Sequence, residues 1–302
     1  MLFFTIWPLF ALICLGFAMV RSGFPAPAFW PAAERMNYFV MFPALLFLSL
    51  ANAPIGDPEM LRLGGAAIAT ILIATLFLTG MRRLAPMPAA RFGPMLQGII
   101  RFNTYLGFAV VTSIAGPEGV ARAAVYLAVA VPLVNVLSIV ALTDGSSGRQ
   151  LPILLRAILR NPLILACLAG IAVAISGIGL PFGTDAFLGL LAQASLPLGL
   201  LCVGAALQPA MLRQDMPALI RNGALRLFGM PALAFAVAFL FGLEGLEALI
   251  LVTFSAVPAA PTAYILTRQL GGDGSLMAGI ITGQTLVAVL SLPLVLRVFG
   301  SL

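Results

Sequence analysis

Two polar interruptions lie inside long apolar stretches of this chain, and their residue types suit the holding of a negatively charged solute. The first reads Gly98-Ile-Ile-Arg-Phe-Asn-Thr-Tyr-Leu-Gly107, the second Thr253-Phe-Ser-Ala-Val-Pro-Ala-Ala-Pro-Thr262. In the second, Pro258 and Pro261 each lack an amide hydrogen and clash with the preceding turn. Their close spacing should open a helix rather than bend it. A helix restarting near Pro261 or Thr262 would offer free amides and a positive dipole end, which favour an anion. Ser255 lies before this break and Tyr264 after it. In the first stretch, Asn103 and Thr104 can cap a new half-helix beside Tyr105, and Gly107 permits close backbone approach. The Asn103 amide can also donate directly to a carboxylate. Arg101 lies about ten residues into its apolar stretch, where a guanidinium is costly and marks function or structural pairing; the competing reading is that it snorkels to the nearer face. For the second stretch, the competing reading is a proline kink patched by hydroxyls.

These interruptions need membrane-length elements around them. The 302 residues are 62% hydrophobic and 9% charged, against roughly 25% charge in soluble domains. The pattern predicts an all-α integral membrane protein with ten transmembrane helices: 2–20, 32–51, 61–82, 91–114, 119–142, 153–177, 184–207, 217–241, 246–268 and 275–299. Each approaches the ~20 residues that cross the hydrocarbon. Gly, Pro and charge mark the turns, as in Gly116-Pro-Glu118 and Gly271-Gly-Asp-Gly274. Residues 2–20 lack a basic start and a cleavage site and read as the first span rather than a signal peptide.

A broken spanning helix frees amides and carbonyls that hydrocarbon cannot solvate, so breaks survive only against protein, water or solute. Asn103 and Pro258 are 155 residues apart, and Pro43 and Pro197, in the second and seventh spans, are 154 apart. Ten spans divide as five plus five: a first repeat over 1–143, a connecting loop at 144–152 and a second repeat over 153–302. Five is odd, so the second half is inserted upside down. Two inverted five-helix repeats with broken, crossing helices 4 and 9 describe a secondary transporter with a site at the midplane.

Arg sets the orientation, because the chain has no Lys or His. Arg21, Arg35, Arg82, Arg83, Arg91, Arg149, Arg156, Arg160, Arg213, Arg221, Arg226 and Arg268 fall on one side in this scheme, and Arg62, Arg122 and Arg297 on the other. The arginine-rich side is expected to be cytoplasmic, with both termini outside and the protein in a bacterial inner membrane. Scattered at helix ends, these charges are topology signals rather than a nucleic-acid surface, despite the net +6.

Other polar residues in the spans are weaker candidates: Asn37, Tyr38, Ser49 and Asn52; Asn135 and Ser138; Gln193 and Ser195; Thr282, Gln284, Thr285 and Ser291. Each is more often a helix–helix hydrogen bond than a ligand contact. Gly64-Gly-Ala-Ala67 and Gly204-Ala-Ala206 read as close-packing positions. Cys14, Cys167 and Cys202 lie singly without metal-ligand spacing, and no cofactor is implied. Without His or a buried carboxylate pair, an enzyme is disfavoured. All ten acidic residues fall at span ends or in loops, so no proton relay is evident.

Taken in order, several stretches resemble the auxin efflux carrier family in its short bacterial form. They are Phe29-Trp30 leading to Asn37-Tyr38 and Phe42-Pro-Ala-Leu-Leu-Phe47, Arg101-Phe-Asn103 through Gly107, Asn161-Pro162-Leu-Ile164, Gly204-Ala-Ala-Leu207, and Pro258 through Tyr264 followed by Gln269-Leu-Gly-Gly-Asp273. The resemblance implies the inverted-repeat fold, a superfamily link to bile-acid/sodium symporters, organic-anion substrates such as mono- or dicarboxylates, and a homodimer. Plant members have a proline at both crossovers; here the Asn103 region takes that place in span 4. The candidate substrate-binding set is Arg101, Asn103, Thr104, Tyr105, Gly107, Pro258, Pro261, Thr262, Tyr264, Asn37, Ser195 and Gln284. A carrier for small organic anions working by alternating access is the first reading. A sodium-coupled symporter is the second, with proton coupling also open. A non-transporting sensor or scaffold is a remote third.

Overall fold

The computed structural model describes residues 2–53, 58–143 and 161–299. The expected loop at 144–152, the start of the sixth span, and Arg149, Arg156 and Arg160 lie outside the described residues. Everything described is helix or connecting turn, apart from one isolated antiparallel bridge between Phe102 and Ala259.

The helices are α1 (Leu2–Arg21), α2 (Phe29–Met36), α3 (Phe42–Ala51), α4 (Pro58–Leu84), α5 (Ala89–Ile100), α6 (Thr104–Thr143), α7 (Pro162–Ser176), α8 (Thr184–Ala205), α9 (Met216–Ala224), α10 (Met230–Leu240), α11 (Gly245–Ala256), α12 (Thr262–Gln269) and α13 (Gly274–Phe299). Six segments are long and apolar enough to cross a membrane: Phe3–Arg21, Pro58–Leu84, Thr104–Thr143, Thr184–Ala205, Met216–Leu240 and Gly274–Phe299. Pro162–Ser176 and Gly245–Ala256 are shorter apolar helices. The chain is therefore an all-helical integral membrane protein.

Local chemistry explains the irregularities. The 40 residues of α6 would run about 60 Å if straight, twice the hydrocarbon thickness. Gly116, at φ +57° and ψ −151°, folds α6 into two arms before Pro117, as the Gly116-Pro-Glu118 signal predicts. A π-helical turn, Asn37–Met41, joins α2 to α3, with the Phe42 amide donating to the Asn37 carbonyl. It sits where Pro43 has no amide hydrogen to give. A second π turn, Leu225–Gly229, joins α9 to α10. Asn161 caps α7, its Oδ1 accepting from the Leu163 amide at 2.9 Å. Asp215 caps α9 through the Ala218 amide and is ion-paired with Arg91. The Arg91 guanidinium holds the Asp215 carboxyl below its ordinary range.

The helices pack as two groups. In one, α1 lies on α8, and α3 lies on α7 and α8. In the other, α6 packs on α4, α5 and α11, while α13 packs on α5, α9, α11 and α12. The arms of α6 also touch α1, α3, α7 and α8 and so join the groups. The α1–α8 contact is very close. A Cβ on Gly204 would stand 1.8 Å from the Ile13 carbonyl oxygen, and one on Gly16 would stand 2.0 Å from that of Leu201. The small-residue run at Gly204 is thus a packing position. Gly204→Ala should lower stability by about 1–3 kcal/mol through overpacking. Gly223→Ala, with nothing within 4 Å of its Cβ, should be neutral or gain up to about 1 kcal/mol. Thermal unfolding of the two purified variants in one detergent checks the contrast.

Candidate functional site

The two interruptions meet. Helix α5 ends at Ile100, α6 begins at Thr104, α11 ends at Ala256 and α12 begins at Thr262. Between them two short extended segments run antiparallel, with the Asn103 amide donating to the Pro258 carbonyl at 2.7 Å. The second break follows from Pro258 and Pro261. The first forms without proline because Asn103 competes for the backbone: its Oδ1 accepts from the Leu106 amide at 3.1 Å and its carbonyl from the Gly107 amide at 2.9 Å. These bonds start α6 afresh.

Around the crossing lies a cavity of about 40 Å³ lined by Tyr38, Phe42, Arg101, Phe102, Asn103, Thr104, Tyr105, Val131, Val134, Asn135, Leu163, Ala260, Pro261 and Thr262. By that measure it holds only a few waters. Six of the twelve candidate residues line it: Arg101, Asn103, Thr104, Tyr105, Pro261 and Thr262. Its donors are underused. Asn103 is fully buried, and its Nδ2 has no hydrogen-bond partner among the described residues. The same holds for Arg101 Nη1 and the Tyr105 hydroxyl, while Arg101 Nη2 donates to Thr262 Oγ1 at 3.3 Å. The first residues of α6 and α12, Thr104 and Thr262, lie on the same cavity. Two half-helix amino ends, a guanidinium and an amide N–H therefore face one small volume.

The other six candidates do different things. Pro258 closes the crossing through its carbonyl. Gly107 makes room for Phe254, whose ring would lie 2.5 Å from an added Cβ. Tyr264 packs against the Ala259–Met277 cluster. Asn37 and Ser195 bond each other between α3's approach and α8: Ser195 Oγ donates to Asn37 Oδ1 at 2.9 Å, and Asn37 Nδ2 to the Ser195 carbonyl at 3.0 Å. Gln284 serves the backbone. Its Nε2 donates to the Gly98 carbonyl and to Asn222 Oδ1, each at 2.9 Å, and its Oε1 accepts from the Ala259 amide at 2.8 Å. Tyr38 and Asn135, weaker candidates by sequence, do line the cavity.

Arg226 corrects the charge map. Placed by sequence among the surface arginines, it is 1% exposed and donates to three carbonyls, those of Ile99, Phe254 and Val257, each at 2.7 Å. Its depth, nine residues into an apolar segment, was the available signal; it matches that of Arg101. Asn222, one turn earlier, donates to the Met95 carbonyl at 2.8 Å. Glu247 also proves buried, near the start of α11, where it is ion-paired with Arg122; Arg122 Nη1 bonds Glu118 Oε1 at 2.9 Å as well.

Residues 147–296 match the family described as Membrane transport protein. Over 293 residues, 96% of this chain and of its relative, the sequence is 26% identical to an uncharacterized transporter of Methanothermobacter thermautotrophicus, strain Delta H. Both matches support a transporter of this family. It is the auxin efflux carrier family that the ordered stretches resemble, and the protein is a transporter rather than an enzyme. The matched region carries the α11–α12 break, Arg226 and Gln284, and hence most of what closes the crossing.

Because Asn103 caps α6, its removal has a structural cost. Asn103→Ala should destabilise the transporter by about 0.5–2 kcal/mol, and Asn103→Ser should recover most of that loss. Thermal unfolding of the pair measures the cap apart from any ligand.

Proposed function

We propose that this transporter is a carrier for small organic anions, held by a carboxylate at the crossing and moved by alternating access. The observation that carries the reading is the pair of buried, unpartnered donors, Arg101 Nη1 and Asn103 Nδ2, on one cavity with the amino ends of α6 and α12. Donors without acceptors in a low-dielectric interior cost free energy. A carboxylate would accept from both, and two helix amino ends of roughly +0.5 charge each add to the attraction. Of the remaining walls, Phe42, Phe102, Val131, Val134, Leu163 and Ala260 are apolar, with Tyr38 and Asn135 the polar exceptions. One guanidinium and these walls suit a single carboxylate on a compact apolar body better than two carboxylates.

The helices read as ten crossing segments in two inverted halves. The fourth is α5 with the first arm of α6, the ninth α11 with α12, and the remaining helices supply the other eight. The α1, α3, α7 and α8 group is the scaffold and the rest the moving part. The narrow 40 Å³ site and a separate, wider 440 Å³ groove are consistent with a cycle of opening. That groove lies between the groups, against Leu9, Leu45, Ala109, Thr112, Gln193 and Leu200. Phe42 and Tyr105 line the smaller space, and the rings of Tyr105 and Phe108 pack on Phe42 with centroids 5.0 and 5.9 Å away. The arginine bias supports a cytoplasmic loop side, both termini outside, and placement in an inner membrane, now with Arg226 removed from the count.

The first test is a thermal-shift screen of the purified protein against a series from acetate to benzoate and from malonate to succinate, with and without sodium. Ligands that bind the folded state raise its melting temperature by mass action. Monocarboxylates with apolar bodies should stabilise it most. Asn103→Asp keeps a capping oxygen and points negative charge at the site, so it should unfold near the wild-type temperature and lose the shift by at least about tenfold in apparent affinity. A shift retained in Asn103→Asp refutes the crossing as the anion site. A requirement for sodium replaces this reading with the symporter, and the absence of any shift in folded protein rejects the substrate class.

A further inference from the structure

We infer that Arg226 is the positioning residue of the transport site: it ties the two broken helices into one body, so that their amino ends face the cavity together. Its guanidinium spends all three of its nitrogens on the carboxyl ends of both first half-helices. Nη1 reaches Ile99, the penultimate residue of α5, while Nη2 and Nε reach Phe254 and Val257 at the end of α11. Among the described residues Arg226 has no carboxylate partner, in contrast to Arg91, which pairs with Asp215, and Arg122, which pairs with Glu118 and Glu247.

The charge is balanced nonetheless. Two helix carboxyl ends carry roughly −0.5 each, together about the opposite of one guanidinium. An unpaired buried cation would be costly; here two dipole ends supply the counter-charge. The reverse also holds. Four of the groups freed by the breaks, the carbonyls of Ile99, Gly98, Phe254 and Val257, are satisfied by Arg226 and Gln284 alone. Each half-helix is thus bound to the other through one planar fork, which Lys cannot reproduce. The π turn Leu225–Gly229 carries Arg226, and such turns are frequent at functional sites.

The consequence concerns the site across the crossing. With the carboxyl ends neutralised by Arg226, the amino ends at Thr104 and Thr262 act on the cavity without an opposing field a few ångströms behind them. The coupling of the two half-helices depends only on the structure. The effect on affinity rests on the carboxylate reading proposed above.

Hydrogen–deuterium exchange on the full-length protein in micelles separates the two. In the wild type, amides within 96–107 and within 253–264 should open together, with one shared exchange rate and one response to mild denaturant. Separate rates for the two segments overturn the proposal without any variant. Arg226→Lys should raise exchange at least about tenfold in both segments at once and leave α1 and α8 protected. Arg101→Gln, which changes the cavity side, should leave both segments protected. Exchange in Arg226→Lys that matches the wild type, or that rises equally over the whole chain, also overturns it. Benzoate is the probe for the second arm. Its apparent affinity by thermal shift should fall at least about tenfold in Arg226→Lys, and further in Arg226→Met. Coupled exchange without benzoate binding in the wild type upholds Arg226 and rejects the carboxylate reading; benzoate binding unchanged in Arg226→Lys rejects the positioning role.

Discussion

A helix broken inside a membrane has to find partners for the backbone groups it releases, because hydrocarbon offers none. This chain breaks two helices and lays the breaks across each other, and the surrounding structure follows from the partners they need. The breaks satisfy one another in part, through the bond from the Asn103 amide to the Pro258 carbonyl. The remainder comes from side chains that would otherwise have no place among apolar helices: Asn222 and Arg226 from the α9–α10 segment and Gln284 from α13. Gly98 is part of the same constraint. A Cβ there would stand 2.3 Å from Asn222 Oδ1, so any larger residue would push the amide out of the network. The cost of a buried polar group with no partner thereby fixes which helices neighbour the crossing and how closely.

Crossing two broken helices also sorts charge. Each break leaves a carboxyl end and an amino end, and across the crossing the two carboxyl ends share one side chain while the two amino ends share one cavity. The carboxyl ends of α5 and α11 converge on Arg226. The amino ends of α6 and α12 converge on the cavity with Arg101 and Asn103. On the carboxyl side every nitrogen of the Arg226 guanidinium finds a carbonyl, whereas on the cavity side Arg101 Nη1 and Asn103 Nδ2 have no acceptor among the described residues. A solute that completes the second side must be an acceptor, and a carboxylate does so with two oxygens.

Sequence exposed the backbone events more readily than the side-chain ones. Pro258 and Pro261, the Asn103-Thr104 pair and Gly116 act on the chain locally, so the breaks and the fold of α6 into two arms could be read from them. Side-chain roles depend on which way a residue faces around its helix, and composition does not record that. Arg226 and Arg101 lie at similar depths in apolar segments, yet one binds carbonyls and the other faces the cavity. By sequence the first groups with the arginines at span ends; in the structure it lies buried on the π turn Leu225–Gly229. Asn37, Ser195 and Gln284 are polar residues in apolar spans, as ligand contacts would be, and they are spent on each other or on the backbone. Tyr38, next to Asn37 on the same π turn, faces the cavity instead. One residue's rotation separates the two roles, and no spacing rule resolves that.

The arrangement also constrains how a solute could move. The crossing is bonded to α9–α10 and α13, which pack with α5 and α11; of the other group, α13 touches α1. Its ties to the other group pass through weaker surfaces: rings at Phe42 and Tyr105, and a Gly199 whose added Cβ would stand 2.7 Å from the Tyr105 ring. Hydrogen bonds to charged groups contribute about 1.5–3 kcal/mol each, whereas ring-to-ring contacts add about 0.5–1.5 kcal/mol beyond their burial. Displacement is therefore easier along the apolar face at Tyr105 than within the bonded knot. On the proposed reading, the motion that would connect the 40 Å³ site with the 440 Å³ groove is a sliding of the whole crossing past α3 and α8, with the donors of Arg101 and Asn103 carried along.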